Sequence, residues 1–111
     1  MTDCIFCKII AGKIPGQFVH QDDQVVVFKD IHPKARVHLL VTPRVHVESL
    51  AELTHQHDGL MAHMMRLLPQ VARAQGLGHG FRTVINTGPA GGQEVPHLHI
   101  HLLGGGPLPG F

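Results

Sequence analysis

The stretch His97-Leu98-His99-Ile100-His101-Leu102-Leu103 decides how this chain is read. Alternate side chains of a β-strand share a face, so His97, His99 and His101 are expected to project together while Leu98, Ile100 and Leu102 face the other way. The apolar side predicts a core. The polar side predicts imidazoles about 7 Å apart, near enough to serve one phosphate jointly and too far to hydrogen-bond each other. A merely solvated face is the plain alternative, but each ring on a half-buried strand needs partners for its nitrogens.

Upstream, Gly88-Pro89-Ala90-Gly91-Gly92-Gln93 is a glycine-rich loop joining this strand to one predicted over 81–87. Before that, Leu60, Met61, Met64, Leu67, Leu68, Val71 and Ala72 recur at three- and four-residue intervals, which predicts an amphipathic helix from 54 to about 75, stopped by Gly76 and Gly78. Pro69 falls inside that pattern and predicts a kink or a boundary. The methionines of this stretch read as core filling. Earlier still, Val37-His38-Leu39-Leu40-Val41-Thr42 reads as a strand ended by Pro43, preceded by a loop through His32 and Pro33. Phe18-Val19-His20 and Val25-Val26-Val27-Phe28 form a predicted hairpin, and Ile5, Phe6, Ile9 and Ile10 have helical spacing with Gly12 as the stop. The expected fold is therefore α+β: a five-stranded antiparallel sheet with one long and one short helix.

A length of 111 residues suits one domain, 1–111, in which 104–111 is a glycine- and proline-rich tail that orders only where Leu108 or Phe111 meets a surface. With 43% hydrophobic and 15% charged residues, the chain is expected to fold. A formal charge of +1 with scattered lysines and arginines argues against a long nucleic acid as partner. No apolar run is long enough to cross a bilayer and Thr2-Asp3-Cys4 is not a basic signal region, so a cytoplasmic location is expected. Eleven histidines point to acid–base, nucleophilic or metal chemistry.

Two chemistries suit the triad. Its imidazoles can converge on a metal, or one neutral imidazole can attack phosphorus and form an adduct that water then resolves. Gly91 and Gly92 favour the second, because glycine lets the backbone approach a phosphate and its amides can stabilise developing charge.

The heptad around the triad matches His-φ-His-φ-His-φ-φ, with φ apolar, at every position. Ile5-Phe6-Cys7-Lys8-Ile9-Ile10, Ile14-Pro15, Asp30-Ile31, Pro33, Gly91-Gly92-Gln93 and Gly104-Gly105 extend the likeness over nearly the whole chain. The sequence thus resembles the histidine triad (HIT) proteins of the Hint branch. The resemblance implies a HIT-like fold and a purine nucleoside phosphoramidate or aminoacyl-adenylate hydrolase working through a nucleotidyl-histidine intermediate. It makes His99 the nucleophile and His101 its phosphate-side partner, with His97 and His38 completing the catalytic set. It also implies nucleotide contacts from Asn86, Gly92, Gln93, Val95 and Asp30, and a base pocket lined by Ile5, Phe6, Ile9, Ile14, Phe28, Ile31 and Leu40; plain core packing competes for Phe28, Ile31 and Leu40. A homodimer with joined sheets is implied too. Glu94 stands where some relatives have serine, and a carboxylate beside phosphate is repulsive, so it is expected to turn away or to meet a leaving amine.

Cys4 and Cys7 have zinc-ligand spacing but supply only two of four ligands. By the same resemblance the others are His46 and His97, giving a structural zinc that catalysis does not require; buried free thiols and a redox pair are the alternatives. Most of His20, His32, His55, His57, His63 and His79 read as solvated, without a specific role. Beside the phosphoramidase reading stand a dinucleoside polyphosphate hydrolase, a nucleotide-binding adaptor with incidental turnover, and a metalloenzyme using the triad as ligands.

Overall fold

A computed structural model describes residues 4–110; the expectations for Thr2, Asp3 and Phe111 lie outside that range. The short helix α1 is Ile5–Ile10, capped by Cys4, whose sulfur accepts from the Cys7 amide. Strands β1 (Phe18–Gln21), β2 (Val25–Lys29) and β3 (Val37–Pro43) precede the long helix α2 (Asp58–Ala74), and β4 (Arg82–Val84) and β5 (Ile100–Gly104) follow it. All five strands form one antiparallel sheet in the order β1-β2-β3-β5-β4. The expected α+β architecture is present.

The sheet has two dry faces because the central strands alternate apolar groups on both sides. Val25 and Val27, Leu39 and Val41, and Ile100 and Leu102 point to α2, where Leu60, Met64, Leu67, Leu68, Val71 and Ala72 meet them. Val26, Phe28 and Leu40 point the other way, onto Cys4, Phe6 and Ile9 at the amino terminus. A strand buried on both faces cannot slip by one residue without exchanging the two sets, so the register is firmly specified.

Three boundaries differ from the sequence expectation. The strand of the triad starts at Ile100, and β4 has three residues where seven were expected. Residues 54–57 form a separate 3-10 turn in which Thr54 Oγ1 caps the His57 amide while His57 Nδ1 accepts from the Thr54 amide, so His57 is a capping group and not a solvated bystander. The long helix runs through Pro69 to Ala74, so no boundary falls there. Pro69 cannot donate to the Met65 carbonyl, and Met65 lies on the exposed side of the helix, at 46% exposure.

His20 and His63 are also tied down. Asp22 Oδ2 accepts from His20 Nε2 at 2.7 Å and from His63 Nε2 at 2.8 Å, while Oδ1 accepts from the Gln24 and Val25 amides, each at 2.8 Å. Burial alone would raise the Asp22 pKa; the hydrogen bonds together outweigh it and hold the carboxyl below its usual range. The first hairpin is thereby fastened to α2.

Met64 is fully buried between α2 and the sheet. Met64→Ala is expected to lower unfolding free energy by about 2–5 kcal/mol, measured by urea denaturation.

Candidate active site

On the face opposite α2, a cavity of about 410 Å³ opens between α1, the residues after β2 and the loop before β5. Ile5, Phe6, Ile9, Phe28, Ile31 and Leu40 give it an apolar end. Ile14 does not line it and packs instead against the cluster of Phe6 and Phe28. At the other end stand His38, His99 and His101, with Asp30, Asn86, Gly92 and Val95 on the walls. Glu94 lines the cavity too.

The hydrogen bonds assign the tautomers. A carbonyl can only accept, so the 2.6 Å contact between His99 Nδ1 and the His97 carbonyl puts the His99 proton on Nδ1 and leaves a lone pair on Nε2. His38 Nδ1 accepts from the Lys34 amide at 3.0 Å, so its proton sits on Nε2, which donates to His101 Nδ1 at 2.9 Å. His101 therefore carries its own proton on Nε2. One ring offers a lone pair and its neighbour an N–H, with centroids 5.0 Å apart. Phe6 meets the His99 ring nearly edge-to-face at 5.0 Å. Asp30 Oδ2 lies 3.5 Å from His38 Nε2, and Oδ1 accepts from the His32 amide at 2.8 Å.

Burial lowers the pKa of His38, His97, His99 and His101 by penalising the charged form. His101 falls furthest, to about 4, because His99 and His38 add like-charge repulsion to desolvation.

The loop before β5 departs from expectation in two details. The Gly92 amide donates to the Pro89 carbonyl at 3.0 Å, closing a 3-10 turn, with Gly92 at φ +86°. Gln93 is a brace: its Oε1 accepts from the Gly88 amide at 2.8 Å, and its Nε2 donates to the Glu48 and Val95 carbonyls at 2.6 and 2.9 Å. Its side-chain amide is thus occupied within the protein. Asn86 Nδ2 donates to the Gly91 carbonyl at 2.9 Å, bracing the same loop from within the cavity.

His97 leaves the triad. Its side chain is wholly buried away from the cavity lining, where Nε2–H donates to the Pro43 carbonyl at 2.9 Å. The lone pair on Nδ1 then faces Cys4 Sγ at 3.2 Å and Cys7 Sγ at 3.5 Å, and His46 Nδ1 lies 3.4 Å from Cys7 Sγ. These four donor atoms lie within 4.8 Å of one another. Bonds of about 2.0–2.3 Å to a tetrahedral zinc would set ligands about 3.5 Å apart, so this Cys2His2 set fits the ion. His46 Nε2 is buried without a partner.

Lys34 was not singled out from the sequence. Its backbone amide fixes the His38 tautomer, and its side chain lines the cavity. A main-chain donor carries no residue signature; the neighbouring Pro33, which has no N–H, was the nearest hint.

A one-sheet α+β fold with paired imidazoles in a nucleotide-sized cavity defines the class to which the comparisons also lead. The family model described as "Scavenger mRNA decapping enzyme C-term binding" matches residues 3–106. Protein HitA of Neisseria gonorrhoeae is 54% identical over 104 residues, covering 94% of this chain and 97% of that protein. The purine nucleoside phosphoramidase of Escherichia coli K12 is 39% identical over 107 residues, with 96% and 90% covered. A 14 kDa zinc-binding protein of Zea mays is 42% identical over 103 residues, covering 91% and 80%. A solved histidine triad protein from Clostridium difficile superposes with a TM-score of 0.95 at 41% identity, covering 100% of this chain and 97% of that one. The chain belongs to the histidine triad family. No helix among the described residues is long and apolar enough to cross a membrane.

In an NMR pH titration the His101 ring is expected to stay neutral through pH 6.5 and to take up a second proton only near pH 4, since burial and its neighbours disfavour the cation. A midpoint at the ordinary histidine value would contradict the site as described.

Proposed function

We propose that this protein is a nucleotide hydrolase that cleaves the phosphorus–nitrogen bond of purine nucleoside phosphoramidates, and mixed anhydrides such as aminoacyl adenylates, through a nucleotidyl-histidine intermediate. The observation that carries this reading is the opposed protonation of two neighbouring rings, a bare Nε2 on His99 beside an N–H on His101. The name of the E. coli relative supports the substrate class.

In this reading the base lies at the apolar end between Phe6, Ile9, Phe28 and Ile31, and Asp30 accepts hydrogen bonds from the ribose hydroxyls. His99 Nε2 attacks phosphorus, a P–N bond to the ring forms, and the bond to the leaving amine breaks. The departing nitrogen leaves as a neutral amine with a proton drawn from solvent water, while His101 Nε2–H hydrogen-bonds to the phosphoryl oxygen and His38 Nε2–H, donated to His101 Nδ1, steadies that ring throughout. Water then attacks phosphorus and gives its proton back to the solvent, the bond from phosphorus to His99 Nε2 breaks, and the nucleoside monophosphate leaves with His99 restored. Depressed pKa values keep both rings neutral at physiological pH, which a nucleophile requires. Asn86 and the loop through Gly92 border the phosphate, and Glu94 faces the amine as it leaves.

His97 supports this chemistry from outside the cavity. Together with Cys4, Cys7 and His46 it would hold a zinc whose work is to fasten α1 to the segment entering β5; the zinc-binding relative from maize supports this assignment. The reading includes a homodimer, since β4 is an edge strand and a second copy can pair along it.

His99→Ala is expected to lower adenosine phosphoramidate turnover by at least about 10³-fold in a metal-free assay, and acid-quench mass spectrometry of the native protein should capture an adenylyl group on His99. Turnover retained by that variant would end the proposal. Metal analysis of the purified protein should find stoichiometric zinc, and Cys7→Ser should lower both zinc content and melting temperature.

A further inference from the structure

The mechanism leaves two thiols unused. Cys4 caps α1, Cys7 lies one turn on, and their sulfurs are no more than 4.8 Å apart. Both are free, Cys4 at 5% exposure and Cys7 only part-buried. A Cys-x-x-Cys spacing brings two thiols within reach of one another, which is what an internal disulfide requires.

The surroundings give such a reaction consequences. The same sulfurs face His97 Nδ1, and the His97 carbonyl is the acceptor that fixes the His99 proton on Nδ1. Phe6 and Ile9, on the helix that Cys4 caps, form a wall of the cavity. The thiol pair therefore touches the site along two routes, through the backbone of His97 and through the seat of α1.

We infer that Cys4 and Cys7 are a reversible thiol-oxidation site, at which disulfide formation discharges the metal and disables the nucleotide site. The co-reactant is a small disulfide of the glutathione type. Part-exposed Cys7, deprotonated while it ligates the metal, attacks one of its sulfurs, the S–S bond breaks, and one small thiolate leaves. The Cys4 thiolate then attacks the Cys7 sulfur, the second small thiol departs, and an internal disulfide remains. Two electrons pass from the protein sulfurs to the small disulfide, which ends as two thiols. A disulfide sulfur is a poor ligand, so His46 and His97 alone are left to hold the ion. The His97 ring is then hydrogen-bonded on its Pro43 side alone, which loosens the residue whose carbonyl serves His99.

The effect on turnover rests on the function proposed above, while the oxidation itself does not. The zinc-loaded, reduced native protein is incubated with oxidised glutathione and followed by three readouts. Intact-mass and peptide analysis should show loss of two hydrogens on the peptide holding Cys4 and Cys7, and a chromogenic chelator should register release of the zinc. Adenosine phosphoramidate turnover should fall roughly tenfold or more, and dithiothreitol with added zinc should restore it. A glutathione adduct that persists on Cys7 with zinc retained would overturn the inference. So would disulfide formation and zinc release that leave turnover unchanged. If the reduced protein does not turn the substrate over, the functional reading fails separately; the first two readouts still judge the thiol site, and adenosine monophosphate affinity before and after oxidation judges its link to the cavity.

Discussion

The hydrogen bond from His99 Nδ1–H to the His97 carbonyl, 2.6 Å long, is the contact on which the chemistry proposed for this protein depends. It decides which nitrogen of His99 carries the lone pair. An imidazole free to exchange tautomers would present the reactive nitrogen only part of the time, and one buried without a partner would pay the cost of an unsatisfied polar group. The same contact requires His97 to be immobile, and its ring is held on one side by Pro43 and faces Cys4 and Cys7 on the other. Two residues apart in sequence, these histidines point into different compartments.

That separation is possible because the sheet is dry on both faces. Ile100 and Leu102 commit β5 to the α2 side, so His99 and His101 must emerge opposite. There α1 supplies a second, smaller core whose inner edge is the apolar end of the cavity. Burial around the rings lowers their pKa values without any dedicated charge, so one packing arrangement builds the pocket and keeps its bases neutral.

Much of this could be read from the residues. The helical period from Leu60 to Ala72 is strong because one face packs on a sheet, and the alternation through Leu98–Leu102 separates core from site because a strand must. What local pattern could not show was the place where the triad leaves the strand. His97 is drawn into a bend by groups up to 93 positions away, and a distant thiol leaves no mark on the residues beside it. The rings of His99 and His101 lie 5.0 Å apart, closer than the spacing of about 7 Å expected along a strand. Gln93 illustrates a subtler limit: the family resemblance implied a nucleotide contact, while in the chain its side-chain amide binds the loop to Glu48 and Val95. The roles of His20, His57 and His63 were hidden too, because a half-buried histidine is recognised only by its partner.

The most direct measurement of the central claim is the nitrogen-15 chemical shifts of the His99 ring in the free protein near neutral pH. The account predicts a protonated, pyrrole-like Nδ1 and an unprotonated, pyridine-like Nε2. The reverse assignment, or a pair of averaged shifts, would contradict it.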